Sequence, residues 1–211
     1  MGEPTQDDGR THSFEVEAKF DVDADTPLPD LSRLPGVARI GEPEPRDLDA
    51  RYLDTEDYAL GRAGFALRRR TGGPDAGWHV KGPLIDGARL ETHWPLTDED
   101  GIPDVVQKAI RELTDAELFS IARIRNDRTA YALLSADDGV VVEFVDDHVI
   151  GRDERRGVEE SWREWEFELG PAAPDDPEER IALFASIAEA VAAAGGRPAA
   201  SASKLARTLG V

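Results

Sequence analysis

The sequence predicts an α+β fold in which antiparallel strands dominate and curl into a closed or nearly closed barrel, with a charged lumen and flanking helices. Three observations carry this. Many short segments alternate with period two and put apolar residues on one face and charges of both signs on the other. Turn signals punctuate them at Gly72-Gly73-Pro74, Gly82-Pro83 and Asp86-Gly87. Helical spacing is confined to residues 103–114 and to the stretch after Asp176.

The elements follow in order. Residues 14–22 read as a strand: Glu15, Glu17 and Lys19 share one face, Phe14, Val16, Ala18 and Phe20 the other. Leu28 to Val37 is a loop or short helix, and Gly41 to Pro45 a turn. Ala50 to Asp54 and Phe65 to Arg70 are short strands; Gly77 to Lys81 and Ala88 to Pro95 form a connected pair. Ile102, Val105, Val106, Ala109, Ile110 and Leu113 place an amphipathic helix over 103–114. Strand pattern returns at Ile121 to Leu134, Val140 to Val149 and Ser161 to Leu169. Asp176-Pro177-Glu178-Glu179 starts a helix, with an N-cap, a first-turn proline and acids against the dipole. Ile181, Phe184, Ala188 and Val191 mark its apolar face, and Gly195-Gly196 ends it.

Composition narrows the function. The chain has 211 residues, 40% hydrophobic and 33% charged, and reads as a disordered lead-in over 1–12 followed by a single domain over 13–211. No apolar run is long enough to span a membrane, and the polar N-terminus has no signal-peptide core. The absence of cysteine excludes disulfides and thiolate metal sites, so cytoplasmic residence is the expectation. With only 4 scattered histidines, carboxylates are the ligands for any metal, which selects hard ions, Mg²⁺ or Mn²⁺. A net charge of −19 argues against nucleic acid or an anionic membrane as partner. The bases are clustered at Arg68–Arg70 and at Arg123, Arg125 and Arg128, which suits a small, highly charged anion.

Alternation sorts the charged faces. Arg68 and Arg70 share a face, as do Lys81 and His79, with Trp78 and Val80 opposite. Arg89, Glu91 and His93 align, as do Glu143, Val145 and Asp147, and Glu164, Glu166 and Glu168 align opposite Trp165 and Phe167. An ordinary sheet would turn such faces to water. Repeated glutamates on one face repel unless cations on other strands answer them, which a barrel with a charged lumen arranges. Arginine and lysine grip phosphate oxygens, and clustered carboxylates hold a divalent ion that bridges to phosphate. Strict alternation sets Arg123 with Arg125 and puts Arg128 opposite, so a bulge is needed if Arg125 and Arg128 are to share a face.

These residues resemble the CYTH superfamily, the triphosphate tunnel metalloenzymes. Glu15-Val16-Glu17-Ala18-Lys19 is similar to its ExExK signature, Tyr52-Leu53-Asp54-Thr55 to its YxDT element and Leu67-Arg68-Arg69-Arg70 to its LRxR strand. The Trp-x-x-Lys-Gly segment around Lys81, Arg89-Leu90-Glu91, Arg125-x-x-Arg128, Glu143 with Asp147, the Glu164/Glu166/Glu168 strand and Ser203-Lys204-Leu205 follow in order, over about residues 13 to 210. The resemblance implies a closed antiparallel tunnel of eight strands that processes triphosphates with Mg²⁺ or Mn²⁺. Carried over, Lys19, Arg68, Arg70, Lys81, Arg89, Arg125, Arg128 and Lys204 contact phosphate. Glu15, Glu17, Asp147, Glu164 and Glu166 hold metal, and Glu15, Glu17, Lys19 and Lys81 form the catalytic set. Tyr52, Asp54, Glu91, Glu143 and Glu168 support them. Without the family, Lys204 is a solvated lysine in a Ser/Ala-rich segment and Asp54 a turn cap.

The expected activity is hydrolysis of inorganic triphosphate or short polyphosphate. Thiamine triphosphatase and class IV-type adenylate cyclase are alternatives within the family, and a polyphosphate-binding module is the non-enzyme alternative. The Leu28–Val37 segment resembles bacterial forms often fused to a C-terminal helical CHAD domain.

Overall fold

The computed structural model describes residues 9–98 and 101–211. Its elements are β1 (Thr11–Glu15), β2 (Glu17–Val22), β3 (Arg39–Ile40), β4 (Glu44–Asp54), α1 (Ala59–Arg62), β5 (Ala66–Thr71), β6 (Gly77–Ile85), β7 (Ala88–Pro95), α2 (Asp104–Ile110), β8 (Phe119–Leu134), β9 (Val140–Asp153), β10 (Val158–Leu169), α3 (Pro177–Ala194), β11 (Arg197–Pro198) and α4 (Lys204–Leu209). The fold is α+β, with antiparallel strands and few helices. The first eight residues of the expected lead-in lie outside the described residues. Thr11 and His12, assigned to that lead-in, already belong to β1, opposite His93 and Thr92.

The closed eight-stranded barrel needs correction. The described strands form one 11-stranded sheet in the open order β1-β7-β6-β5-β4-β8-β9-β10-β2-β11, with β3 on β8. The cause lies in the N-terminal segment, which breaks at Val16 instead of running through as one strand. Glu15 stands opposite Arg89 of β7, whereas Glu17 stands opposite Glu168 of β10. One stretch of chain thus supplies the strand at one end of the sheet and the strand next to the other end, and the sheet curls round to meet at Val16. The Val16 carbonyl accepts the Leu169 N–H at 3.0 Å.

Two apolar cores lie on the face opposite the charges. Phe20, Phe144, Trp165 and Phe167 pack under Leu183, Ile187 and Val191 of α3. Leu67, Trp78, Val80 and Trp94 pack with Val106 and Ile110 of α2. The α3 start is as expected, with the Asp176 carboxylate accepting the Glu178 and Glu179 N–H groups at 2.9 and 3.0 Å. Its buried face is only partly the expected one: Val191 is buried and Phe184 packs against the core, but Leu183 and Ile187 complete the stripe and Ile181 is 69% exposed. An alanine-rich helix offers more than one apolar stripe, and the core selects the one with larger side chains. The second helical segment is also shorter than expected, Asp104–Ile110 in place of 103–114.

Strand β4 starts at Glu44, so the expected turn at Gly41 to Pro45 is partly strand. Pro45 is tolerated because β4 pairs with β5 only over Asp49 to Leu53, leaving that side of Pro45 without a ladder. Finally, α4 packs against β8 and β9 at Gly151, where a Cβ would sit 2.3 Å from the Thr208 hydroxyl. Glycine there lets α4 close on the strands and carry Lys204 inward.

Candidate functional site

Alternation along each strand turns its charged face into the curl, which encloses a cavity of about 500 Å³. Eight cations line it: Lys19, Arg46, Arg68, Arg70, Lys81, Arg89, Arg128 and Lys204. Glu15, Glu17, Asp75, Glu143, Glu166 and Glu168 face them. Buried Glu91, Asp147 and Glu164 stand behind, and contact the same cations.

One group centres on Glu91. Its carboxylate accepts from His79 Nδ1 at 2.7 Å and Arg68 at 3.3 Å, and lies 3.6 Å from Lys81 Nζ. Lys81 Nζ also donates to both Glu15 oxygens, at 2.8 and 2.7 Å. Burial, then the Glu91 side chain, pushes the Glu15 carboxyl up to about 7. Glu91 is held well below the usual range: burial opposes this, but His79, Glu15, Lys81 and Arg68 outweigh it. Burial pushes His79 down to about 3. Arg70 pairs with Asp75, and burial with Arg68 and Arg128 nearby lowers it to about 9. Tyr52 faces Arg68 across the ladder, and Arg68 and Lys81 pull its hydroxyl below the usual value against the effect of burial.

The second group centres on Glu166, which accepts from Lys19, from Lys204 at 2.8 Å and from Arg128 at 2.9 Å. Arg128 also makes a bidentate pair with Asp147, both contacts 2.7 Å. Lys204 Nζ stands 2.8 Å from Asp147 and 2.6 Å from Glu164. Burial would raise Glu166 and Asp147, but these cations hold both below the usual carboxylate range. The Lys204 ammonium is raised because Asp147, Glu166 and Glu164 together outweigh its burial.

A third feature is a row of like charges. Glu17, Glu168 and Glu143 stand abreast on β2, β10 and β9. Lys19 answers Glu17 at 2.6 Å and Arg46 answers Glu143 at 3.1 Å, while Glu168 has no hydrogen-bond or ion-pair partner among the described residues. Burial and the Glu17 charge raise the Glu168 carboxyl.

The expected phosphate contacts are brought together with one exception. Arg125 lies on the outer face, 3.3 Å from Glu159, because β8 has no bulge between Arg123 and Arg128 and strict alternation holds. Arg46 takes its place among the lining cations. A β4 extended back to residue 44 would have shown it by alternation with Leu48, Ala50 and Tyr52. Asp54 lies outside the cavity lining and accepts the Thr55, Leu60 and Gly61 N–H groups at 2.7 to 2.9 Å. His79 and Asp75 are the other participants that sequence reasoning did not select.

A divalent ion is tested by the donors. Eight cations against nine carboxylates leave the cavity close to neutral, so a divalent ion would strengthen its hold on a polyanion. The donors are all hard oxygens, as Mg²⁺ or Mn²⁺ require. Asp147, Glu164 and Glu166 present ligand atoms within 4.8 Å of one another, although Lys204 stands among them. Glu164 Oε1 is buried and lacks hydrogen-bond geometry even to that ammonium, and Glu168 is unanswered. With Lys204 filling the buried cluster, it is the cavity-facing Glu15, Glu17, Glu166 and Glu168 that fit the ion.

A curled antiparallel sheet that brings cations and carboxylates from most of its strands onto one cavity defines the class of fold. The CYTH domain family matches residues 13–193, and the chain belongs to that family. It is 36% identical over 212 residues to uncharacterized proteins of two Mycobacterium tuberculosis strains, covering 93% of this chain. The chain spans 40% of the length of these relatives. Among solved structures it is similar to a candidate adenylate cyclase of Bacillus halodurans, with TM-score 0.61, 20% identity and coverage of 93% and 97% of the two chains. It is also similar to a candidate adenylyl cyclase of Hippeastrum with a dominant triphosphatase activity, with TM-score 0.53, 18% identity and coverage of 93% and 95%. These likenesses establish the fold. Among the described residues no helix is long and apolar enough to cross a membrane.

Proposed function

We propose that this chain is a divalent-metal-dependent triphosphatase that acts on inorganic triphosphate or short polyphosphate in its charged cavity. The observation that carries this is the convergence of eight cations and a comparable number of carboxylates on one cavity of about 500 Å³. Cations alone would suffice to bind an anion. The interleaved carboxylates make sense when the anion brings metal with it.

Arg68, Arg70, Lys81 and Arg89 from three neighbouring strands, with Arg128, Lys19 and Lys204 across the cavity, grip the phosphoryl oxygens. Glu15, Glu17, Glu166 and Glu168 are the cavity-facing carboxylates that would hold Mg²⁺ or Mn²⁺. Asp147 and Glu164 lie deeper and fix Lys204. When bound, such an ion would supply charge neutralisation and a polarised water. The chain's part is positioning: Glu91 holds Lys81 and Arg68, and Glu143 holds Arg46. A carboxylate of this set beside the ion would orient the attacking water and take its proton.

Glu15→Gln and Glu17→Gln test the reading against a binding module. A hydrolase loses metal-dependent turnover in both while keeping triphosphate affinity in chelator. Unchanged turnover in both variants would exclude the carboxylates from the chemistry and with them this mechanism.

A further inference from the structure

Asn126 stands on β8 at the same face as Arg128 and Ile124, lines the cavity, and is only 5% exposed. Its cross-strand neighbours are Leu48 on β4 and Val149 on β9, both buried and apolar. Its Oδ1 is buried with no hydrogen-bond partner, and among the described residues no side chain or backbone group bonds the amide at either end. A buried amide without partners destabilises the folded chain, and an apolar residue of the same shape would remove that cost. The site is flanked by Leu48, Val149 and Ile124, so a leucine would sit among its own kind. A polar amide kept on the cavity wall among apolar neighbours, with no protein partner for its N–H donors, is available to an acceptor on the ligand.

We propose that Asn126 is a substrate-contacting residue of this cavity, which donates its amide N–H to a phosphoryl oxygen. The proposal rests on the triphosphate reading above and deepens it. Neither end of the amide is bonded among the described residues, so presenting Nδ2 to the cavity that Asn126 lines breaks no hydrogen bond. The next inward residue along β8 is Arg128, which is bound on both sides by Asp147 and Glu166. Arg128 is therefore held in place by the protein, whereas no hydrogen bond ties the Asn126 amide. A neutral donor suits this position. Arg70 is already depressed by Arg68 and Arg128, and another cation beside them would add to that repulsion. The amide contributes a directed hydrogen bond to an ionised oxygen without adding charge.

The test uses Asn126→Leu and Asn126→Ala on the full chain, with three readouts. Calorimetry with inorganic triphosphate in chelator gives affinity, phosphate release with Mg²⁺ gives kcat/KM, and thermal melts give stability. The expected result is that the leucine variant melts at or above the wild-type temperature while affinity and kcat/KM fall about tenfold or more in both variants. A merely structural asparagine would give the opposite pattern, lower melting with wild-type affinity, and that overturns the proposal. Wild-type affinity in either folded variant also overturns it. If the leucine variant misfolds, the alanine variant alone decides by the same criterion. Wild-type protein that binds triphosphate without releasing phosphate defeats the hydrolase reading, and the calorimetry still decides the Asn126 contact. Wild-type protein that does not bind triphosphate overturns both.

Discussion

Replacing Lys204 with methionine removes the one cation shared by three buried carboxylates. Its Nζ lies 2.8 Å from Asp147, 2.6 Å from Glu164 and 2.8 Å from Glu166. Arg128 still answers Asp147 and Glu166 in Lys204→Met, but Glu164 keeps only the Trp162 indole N–H. Breaking one side of a buried ion pair costs about 3–5 kcal/mol. For a chain of this size that lowers the melting temperature by about 6–20 °C. Because the lysine is raised from its ordinary value, its contribution is fully present below about 10 and is lost only above the folded-state value. The deficit should therefore hold through neutral and mildly basic pH and shrink on acidification, because Glu164, raised by burial and deprived of the ammonium that lowers it, takes a proton. Once the ammonium is gone, the ligand atoms of Asp147, Glu164 and Glu166, within 4.8 Å of one another, are open to a divalent ion. Mg²⁺ at about a hundred times its dissociation constant would restore about 2.7 kcal/mol. Thermal and urea melts in chelator, then with Mg²⁺, read both effects. A Lys204→Met protein that melts like the wild type in chelator refutes the reasoning.

Two further predictions concern pH and the cavity wall. His79 is pushed down to about 3, so below its ordinary value of 6.5 the unfolded chain binds a proton that the folded one does not, and stability falls with pH across that window. Glu15, pushed up to about 7, acts oppositely: its contribution is fully present below 4.5 and is lost as pH rises through 7. Each slope is about 1.4 kcal/mol per pH unit, so they cancel between roughly 4.5 and 6.5. His79→Asn should unmask the Glu15 arm, with urea midpoints rising on acidification from 7 to 4.5; a profile as flat as the wild type contradicts this. Arg89 lines the cavity without an ion-pair partner among the described residues, so Arg89→Met should change stability by about 0.5 kcal/mol or less and lower kcat/KM about tenfold to a hundredfold. Arg125→Ala, on the outer face, should leave kcat/KM within about twofold; equal losses in the two variants would overturn the assigned faces.

Period-two alternation makes most of the cavity legible in the amino-acid sequence, because a strand assigned one lumen-facing residue assigns its neighbours two apart. It groups Arg68 with Arg70, and Glu164 with Glu166 and Glu168. The same rule separates Arg125 from Arg128, and the family resemblance leads away from it. Arg46 is hidden by Pro45, which reads as turn although β4 tolerates it beyond its pairing with β5. The break at Val16 leaves no local signal, since only the two ends of a curled sheet reveal why one strand must serve both. Lys204 lies in a segment of small residues with no periodic pattern, and its role depends on α4 docking at Gly151, a contact between distant parts of the chain. Asn126 is legible as a position and not as a residue of interest, because an unsatisfied amide is visible only once its neighbours are placed.

The most direct measurement is phosphate release by the wild-type chain from inorganic triphosphate, ATP and thiamine triphosphate, each with Mg²⁺, Mn²⁺ or chelator. The account predicts release that needs a divalent ion and is fastest from inorganic triphosphate. No release from any of the three, with triphosphate still bound, would contradict it and leave a binding module or a cyclase in its place.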